Sequence, residues 1–188
     1  MSRFKKANSY DIPVSVIVLE QWSDEATFYI FNGAEYKVKP GESSFSYRDF
    51  RFPRKGRWPD PKKMVRSLHR QNIKVLLWQA PYHIYFGSAV NKQRDADEKA
   101  MLDNAYYVSY KDGKPYRSHY YWFGHCLIPD FTNPEARKWW LDKRRYLLSD
   151  IGIDGFKIDG GECILDEGLL FHNGKTEEEM RNEFPNEF

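Results

Sequence analysis

Short aliphatic runs constrain this chain more than any other feature. Residues 14–19 (VSVIVL) and 73–78 (IKVLLW) are apolar almost throughout, and residues 152–159 (GIDGFKID) add a third extended run. Runs of this kind form strands covered on both faces, which favours a parallel sheet. Helix signals lie between them. Asp60 before Pro61 supplies an N-cap and a residue preset for the first turn. Met64, Val65 and Leu68 follow at helical spacing, so residues 61–71 read as an amphipathic helix that Asn72 can end in the left-handed region. Asn133-Pro134 repeats the cap-then-proline start, and a helix over residues 134–149 turns Ala136, Trp139, Trp140 and Leu147 inward. Residues 91–104 are polar and helical in part. Asp112-Gly113 is a turn between the aromatic runs 106–110 and 116–123, residues 127–129 read as a further short strand, and a last helix is expected near 176–182.

Strand, helix, strand, helix, strand, helix, strand implies an α/β fold with right-handed crossovers. The connections are lopsided. The first helix reaches the next strand through Asn72 alone, whereas the first strand reaches its helix only after residues 21–59. Long connections therefore gather at the carboxyl ends of strands, where α/β enzymes build their sites. Four such βα units make half of an eightfold barrel, and 188 residues fall short of the roughly 250 of a whole one. Half a barrel leaves two unpaired sheet edges. Residues 1–188 are therefore expected to be the amino-terminal half of a larger barrel, with the missing remainder or a homo-oligomer covering those edges.

Composition narrows the function. The net charge of +2 gives no argument for nucleic acid or an anionic membrane as partner. No apolar run approaches the roughly 18 residues of a membrane span. The opening MSRFKKANSYDIP has no apolar signal region, which favours a cytoplasmic location. Cys126 and Cys163 are the only cysteines, too few for a disulfide scaffold or a four-thiolate zinc site, and they read as packed thiols. The five histidines show no metal-ligand spacing, and Lys138, Lys143, Arg144 and Arg145 read as the solvated face of their helix.

The third run carries the chemistry. Side chains alternate across a strand, so Gly155, Lys157 and Asp159 share one face, and Phe156 and Ile158 the other. The apolar pair suits the helix-covered outside, which leaves Lys157 and Asp159 facing inward with Asp159 at the carboxyl end. An ammonium two residues from a carboxylate favours the ionised acid, and an oriented, ionised carboxylate is what a nucleophile attacking an electrophilic carbon requires. Gly160-Gly161 lets the backbone turn sharply beside a substrate, and Glu162 adds a carboxylate. An ion pair closing a barrel floor is the plain structural alternative, and the Gly-Gly turn fits a site better than a floor. Glu20 ends the first strand, where it could accept hydrogen bonds from sugar hydroxyls. Trp22 just beyond it is a further candidate substrate-binding residue, and Trp78 ending the second strand and Trp122 before residues 127–129 are candidate platforms for pyranose rings, with ordinary core tryptophans as the plain alternative. A metal centre built from Glu20, Asp159 and Glu162 is opposed by Lys157, which would compete for the carboxylate.

These residues resemble a known family. Asp154-Gly-Phe-Lys-Ile-Asp159-Gly-Gly-Glu162 resembles the nucleophile motif of glycoside hydrolase family 31, the α-glucosidase and α-xylosidase family. Trp58-Pro-Asp-Pro61 with residues 73–78, and Pro129-Asp-Phe-Thr-Asn-Pro134 with Glu135-Ala-Arg-Lys-Trp-Trp140, resemble two more of its signatures, in the right order. The resemblance implies a (β/α)8 TIM barrel, retaining hydrolysis of an α-linked, glucoside- or xyloside-like sugar, and no cofactor. By position it implies Asp159 as nucleophile, Glu20 as a binder of sugar hydroxyls, Trp78 and Trp122 lining the cleavage subsite, Lys157 at a position that is often Trp in α-glucosidases and Lys in xylosidase-like members, and Glu162 as the Glu that closes the nucleophile motif; with Trp22 these make the candidate substrate-binding set, and the acid/base carboxylate comes from a later strand. Glu20 replaces the family's usual Asp, Ala80 a common Asp or Asn, and Gly160-Gly161 bulkier residues. A non-catalytic carbohydrate-binding barrel relative is the alternative.

Overall fold

A computed structural model describes residues 10, 13–24, 26–83, 91–119 and 124–187. In chain order the elements are β1 (Val16–Leu19), β2 (Glu35–Tyr36), β3 (Phe50–Arg51), α1 (Pro61–His69), β4 (Lys74–Gln79), α2 (Lys92–Asp103), β5 (Ser109–Tyr110), α3 (Pro134–Tyr146), β6 (Gly155–Ile158), β7 (Leu169–Leu170) and α4 (Glu177–Glu187). The caps do what the residue types foretell. Asp60 accepts from the Lys63 amide at 2.8 Å with Pro61 in the first turn, and Asn133 accepts from the Glu135 and Ala136 amides. Asn72 takes φ 58° beyond the end of α1. A π-helical turn, Leu147–Ile151, follows α3, and Gly152 at φ 89° turns the chain into β6.

The main sheet is parallel, in the order β1-β4-β6. Val18 lies beside Leu76, and Trp78 beside Lys157. Val75 and Leu77 point to the other face and are fully buried, packed with Val65 and Leu68 of α1 and with Tyr146, Leu147 and Ile151. The long first connection lies on the same core through Phe31, Phe45 and Phe50. Its closest approach is at Gly41: a Cβ there would stand 2.1 Å from the Ala96 carbonyl oxygen on α2, so only glycine fits.

Two expectations are corrected. Residues 127–129 do not join the parallel sheet. Leu127 bridges antiparallel to His83 and Arg117, and Pro129 to Tyr107, so β4 pairs directly with β6. The segment instead joins a separate layer over a second core, with Val108, Tyr116, Cys126, Ile128, Cys163 and Leu169, and β5 pairs antiparallel with β7 in this layer. The described residues thus show three parallel strands where four βα units were expected. The basic face of α3 is also not all solvated. Lys143 and Arg144 are buried: Lys143 Nζ lies 2.9 Å from Asp97 Oδ1 of α2, and the Arg144 guanidinium stacks 3.3 Å over the Trp140 ring. Buried charges persist only with partners; Asp97 is 46 positions from Lys143, while Trp140 lies one turn before Arg144 on the same helix. Lys138 and Arg145 remain outside, paired with Asp142.

Candidate active site

Parity along the strands builds the site. Val16 and Val18 of β1, Leu76 and Trp78 of β4, and Gly155 and Lys157 of β6 share the sheet face opposite the helices, and Glu20 and Asp159 continue two of these rows past the carboxyl ends. There the side chains meet. The Trp78 indole Nε1 donates to Asp159 Oδ2 at 2.8 Å. The Lys157 ammonium stands 3.2 Å from the same oxygen and 3.7 Å from Glu20 Oε1. The Asp159 amide donates to the Gln79 carbonyl at 2.9 Å, continuing the parallel ladder one residue beyond the strand. The Asp159 side chain is 35% exposed and that of Lys157 44%, so the carboxylate is held yet reachable.

The electrostatics keep this carboxylate charged. The Trp78 hydrogen bond is the main reason Asp159 titrates below the usual carboxylate value. Partial burial opposes it and Lys157 adds to it. Asp159 is thus an anion with one oxygen fixed by an indole N–H and an ammonium. Gly160, at φ 70°, and Gly161 are buried and turn the chain away at once, and the Cys163 amide donates to the Gly161 carbonyl at 2.9 Å. Cys126 and Cys163 are buried thiols outside any disulfide, and burial pushes Cys163 up to about 12. Among the described residues no group of three or more His, Cys, Asp and Glu is arranged to hold a metal ion. Lys157 stands where a cation shared by Glu20 and Asp159 would sit.

The structure brings together Glu20, Trp78, Lys157 and Asp159. It places Trp22 elsewhere in the scheme. Trp22 is 1% exposed, packs edge-on to Phe31 with ring centroids 4.8 Å apart, and donates its indole N–H to the Trp78 carbonyl at 2.8 Å. It supports β4 from behind and cannot offer a face to a sugar. Glu162 is exposed on the loop after Gly161, and Trp122 lies outside the described residues. Sequence reading missed Gln79. Its parity puts it on the apolar face with Val75 and Leu77, and a polar residue there needs buried partners, which was the available signal.

The model of the glycosyl hydrolases family 31 TIM-barrel domain matches residues 1–187. The chain belongs to this family. It is similar to an isomaltosyltransferase of Sporosarcina globispora, 47% identical over 183 residues. That match spans 97% of this chain and 17% of the relative, so the chain is about one sixth of the length of this curated relative. Among solved structures, a cycloalternan-forming enzyme from Listeria monocytogenes in complex with a pentasaccharide substrate superposes with a TM-score of 0.92 at 44% identity, over 98% of this chain and 17% of that one. A cycloalternan-degrading enzyme from Trueperella pyogenes in complex with a covalent intermediate superposes with a TM-score of 0.92 at 37% identity, over 98% of this chain and 25% of that one. The (β/α) expectation and the family resemblance thus agree with both sequence and structural relatives. Among the described residues no helix is long and apolar enough to cross a membrane.

Proposed function

We propose that this chain is the amino-terminal half of the catalytic barrel of a retaining α-glycoside hydrolase, and that Asp159 is its nucleophile. The observation that carries this reading is the Asp159 carboxylate itself: ionised, partly open, and fixed at a strand's carboxyl end by Trp78 and Lys157. One Asp159 oxygen attacks the anomeric carbon as the glycosidic C–O bond breaks. A second carboxylic acid protonates the leaving oxygen, and after aglycone departure the same group takes a proton from the water that hydrolyses the glycosyl ester. Retention requires that carboxyl about 5–5.5 Å from Asp159. We assign it outside the Glu20–Lys157–Asp159 cluster, since Glu20 lies on the same side of the sheet with Lys157 between the two carboxylates.

Glu20 accepts from hydroxyls of the sugar in the cleavage subsite, and Trp78 and Lys157 line that subsite beside the nucleophile. Trp122 and Glu162 stay candidate subsite residues by family position. The substrate is an α-linked glucosyl unit of an α-glucan, a reading supported by the isomaltose- and cycloalternan-directed names of the relatives and by the family signatures. The partner is accordingly carbohydrate. Asp159→Ala in the full-length protein is expected to lower turnover of an aryl α-glucoside at least about a thousandfold, and a fluoroglycoside that traps the glycosyl ester is expected to label Asp159. Near-normal turnover in the variant, or reversible binding with no label, would overturn the assignment and favour the non-catalytic binder.

A further inference from the structure

Resting on Asp159 as nucleophile, we propose that Arg144 and Phe28 are positioning residues: a buried latch of Phe28, Gln79 and Arg144 sets the plane of the Trp78 indole and so aims its N–H at Asp159. Phe28 is a bulky residue at φ 53°, a backbone region that side chains of its size rarely occupy. Such conformations persist where surrounding contacts over-determine them, and they cluster at functional sites. Here the contacts are on view. The Gln79 side-chain amide donates to the Phe28 carbonyl, and Gln79 Oε1 accepts from Arg144 Nε at 3.0 Å. Arg144 also donates to the Trp140 carbonyl at 3.0 Å and the Thr27 carbonyl at 3.5 Å. One guanidinium from α3 thereby ties the loop that carries Phe28 to the last residue of β4.

The latch ends at the active site. The Phe28 ring packs against the Trp78 ring, centroids 5.3 Å apart at 57°. Trp78 is held from the other end by Trp22, which bonds its carbonyl. Gln79 also receives the Asp159 amide through its own carbonyl, so the same residue touches the nucleophile's backbone and the latch. The charged groups facing Asp159 are Lys157 of β6 and Glu20 beyond β1. The titratable groups around Arg144 are the Tyr29 and Tyr146 phenols, which burial keeps neutral, with the charged Asp97–Lys143 pair beyond Tyr29. Substitution of Arg144 or Phe28 leaves Lys157 and Glu20 in place, so a change in Asp159 passes through the Trp78 indole or through the Gln79 carbonyl that receives the Asp159 amide, and the Trp78→Phe reference measures the first route.

The test is the acid limb of kcat/KM, which reports ionisation of the free enzyme's nucleophile. It is measured on full-length protein, and a separate sample of the wild type is treated with a fluoroglycoside to establish that Asp159 takes the label. Trp78→Phe removes the donor and sets the largest upward shift. Phe28→Leu and Arg144→Lys are expected to move the limb the same way by about half a pH unit, because a loosened hydrogen bond stabilises the anion less, with kcat lowered more than KM is raised. Arg144→Lys keeps the charge and loses the fork, and if it fails to fold, Phe28→Leu decides alone. Labelled wild type with both variants at the wild-type limb overturns the latch and leaves the nucleophile standing. Wild type that takes no label at Asp159 overturns the assignment and the latch with it.

Discussion

Asp154 and Asp97 are two carboxylates that the fold treats in opposite ways. Burial alone would raise Asp154, but the Lys74 ammonium, the Val75 amide and the His69 ring outweigh it and bring the carboxyl to about 2. A depressed folded value means stability that is present above pH 4 and lost as pH falls from about 4 toward 2. Discounted for solvent screening, Asp154→Asn is expected to cost about 1 kcal/mol at neutral pH. In urea titrations that gap should close below pH 4, and a gap unchanged at pH 2.5 would contradict the pairing. Asp97 lies deeper, where burial pushes it up and the Lys143 ammonium pulls it back. Removing one partner strands the other, so Lys143→Met is expected to cost about 3–5 kcal/mol, while Asp97→Leu with Lys143→Met recovers most of it. A double variant no more stable than the single would refute a simple pair. Strand parity was enough to put Lys157 and Asp159 on one face, while the meeting with Glu20 and Trp78 needed the register of β1, β4 and β6. The burial of Lys143 was not legible, because its partner sits 46 positions away in a helix too polar to announce a buried face.

At the level of elements, the caps were legible and the sheet order only in part. Asp60 and Asn133 act through bonds to amides two or three residues on, so local sequence suffices. Asn133→Ala is expected to remove about 1 kcal/mol and lower the melting temperature by about 2–4 °C, read by circular dichroism. A melting curve that does not move would show that tertiary packing alone holds α3. The misread stretch was 127–129. Its β-like residues are real, but whether they pair parallel or antiparallel is decided by His83, Tyr107 and Arg117, which come from three separate connections. Trp22 was misread for a related reason. Tryptophan at a strand end suits a binding residue or a prop, and its 1% exposure together with the Trp78 carbonyl beside its nitrogen separates the two.

For the whole molecule, the sheet face opposite the helices carries exposed apolar side chains. Val16 is 47% exposed and Val18 39%, and both β1 and β6 are outer strands of the described sheet. Unpaired edges beside apolar side chains invite pairing with another chain. The 188-residue chain alone is expected to self-associate at micromolar concentration and to be inert toward aryl α-glucosides, judged by sedimentation and by a turnover assay. A monodisperse monomer that hydrolyses substrate would show that its acid is among these residues. The tight seat of Gly41 reaches further than stability. Since the first connection touches α2 backbone-to-carbonyl, and the Trp139 indole bonds the Gly41 carbonyl from α3, that connection has a fixed footing and a free span. Anyone grafting new sugar preferences from another enzyme could exchange Glu20 itself, while residues 39–45, which join β2 to β3, would have to travel with α2 and α3 as a single unit.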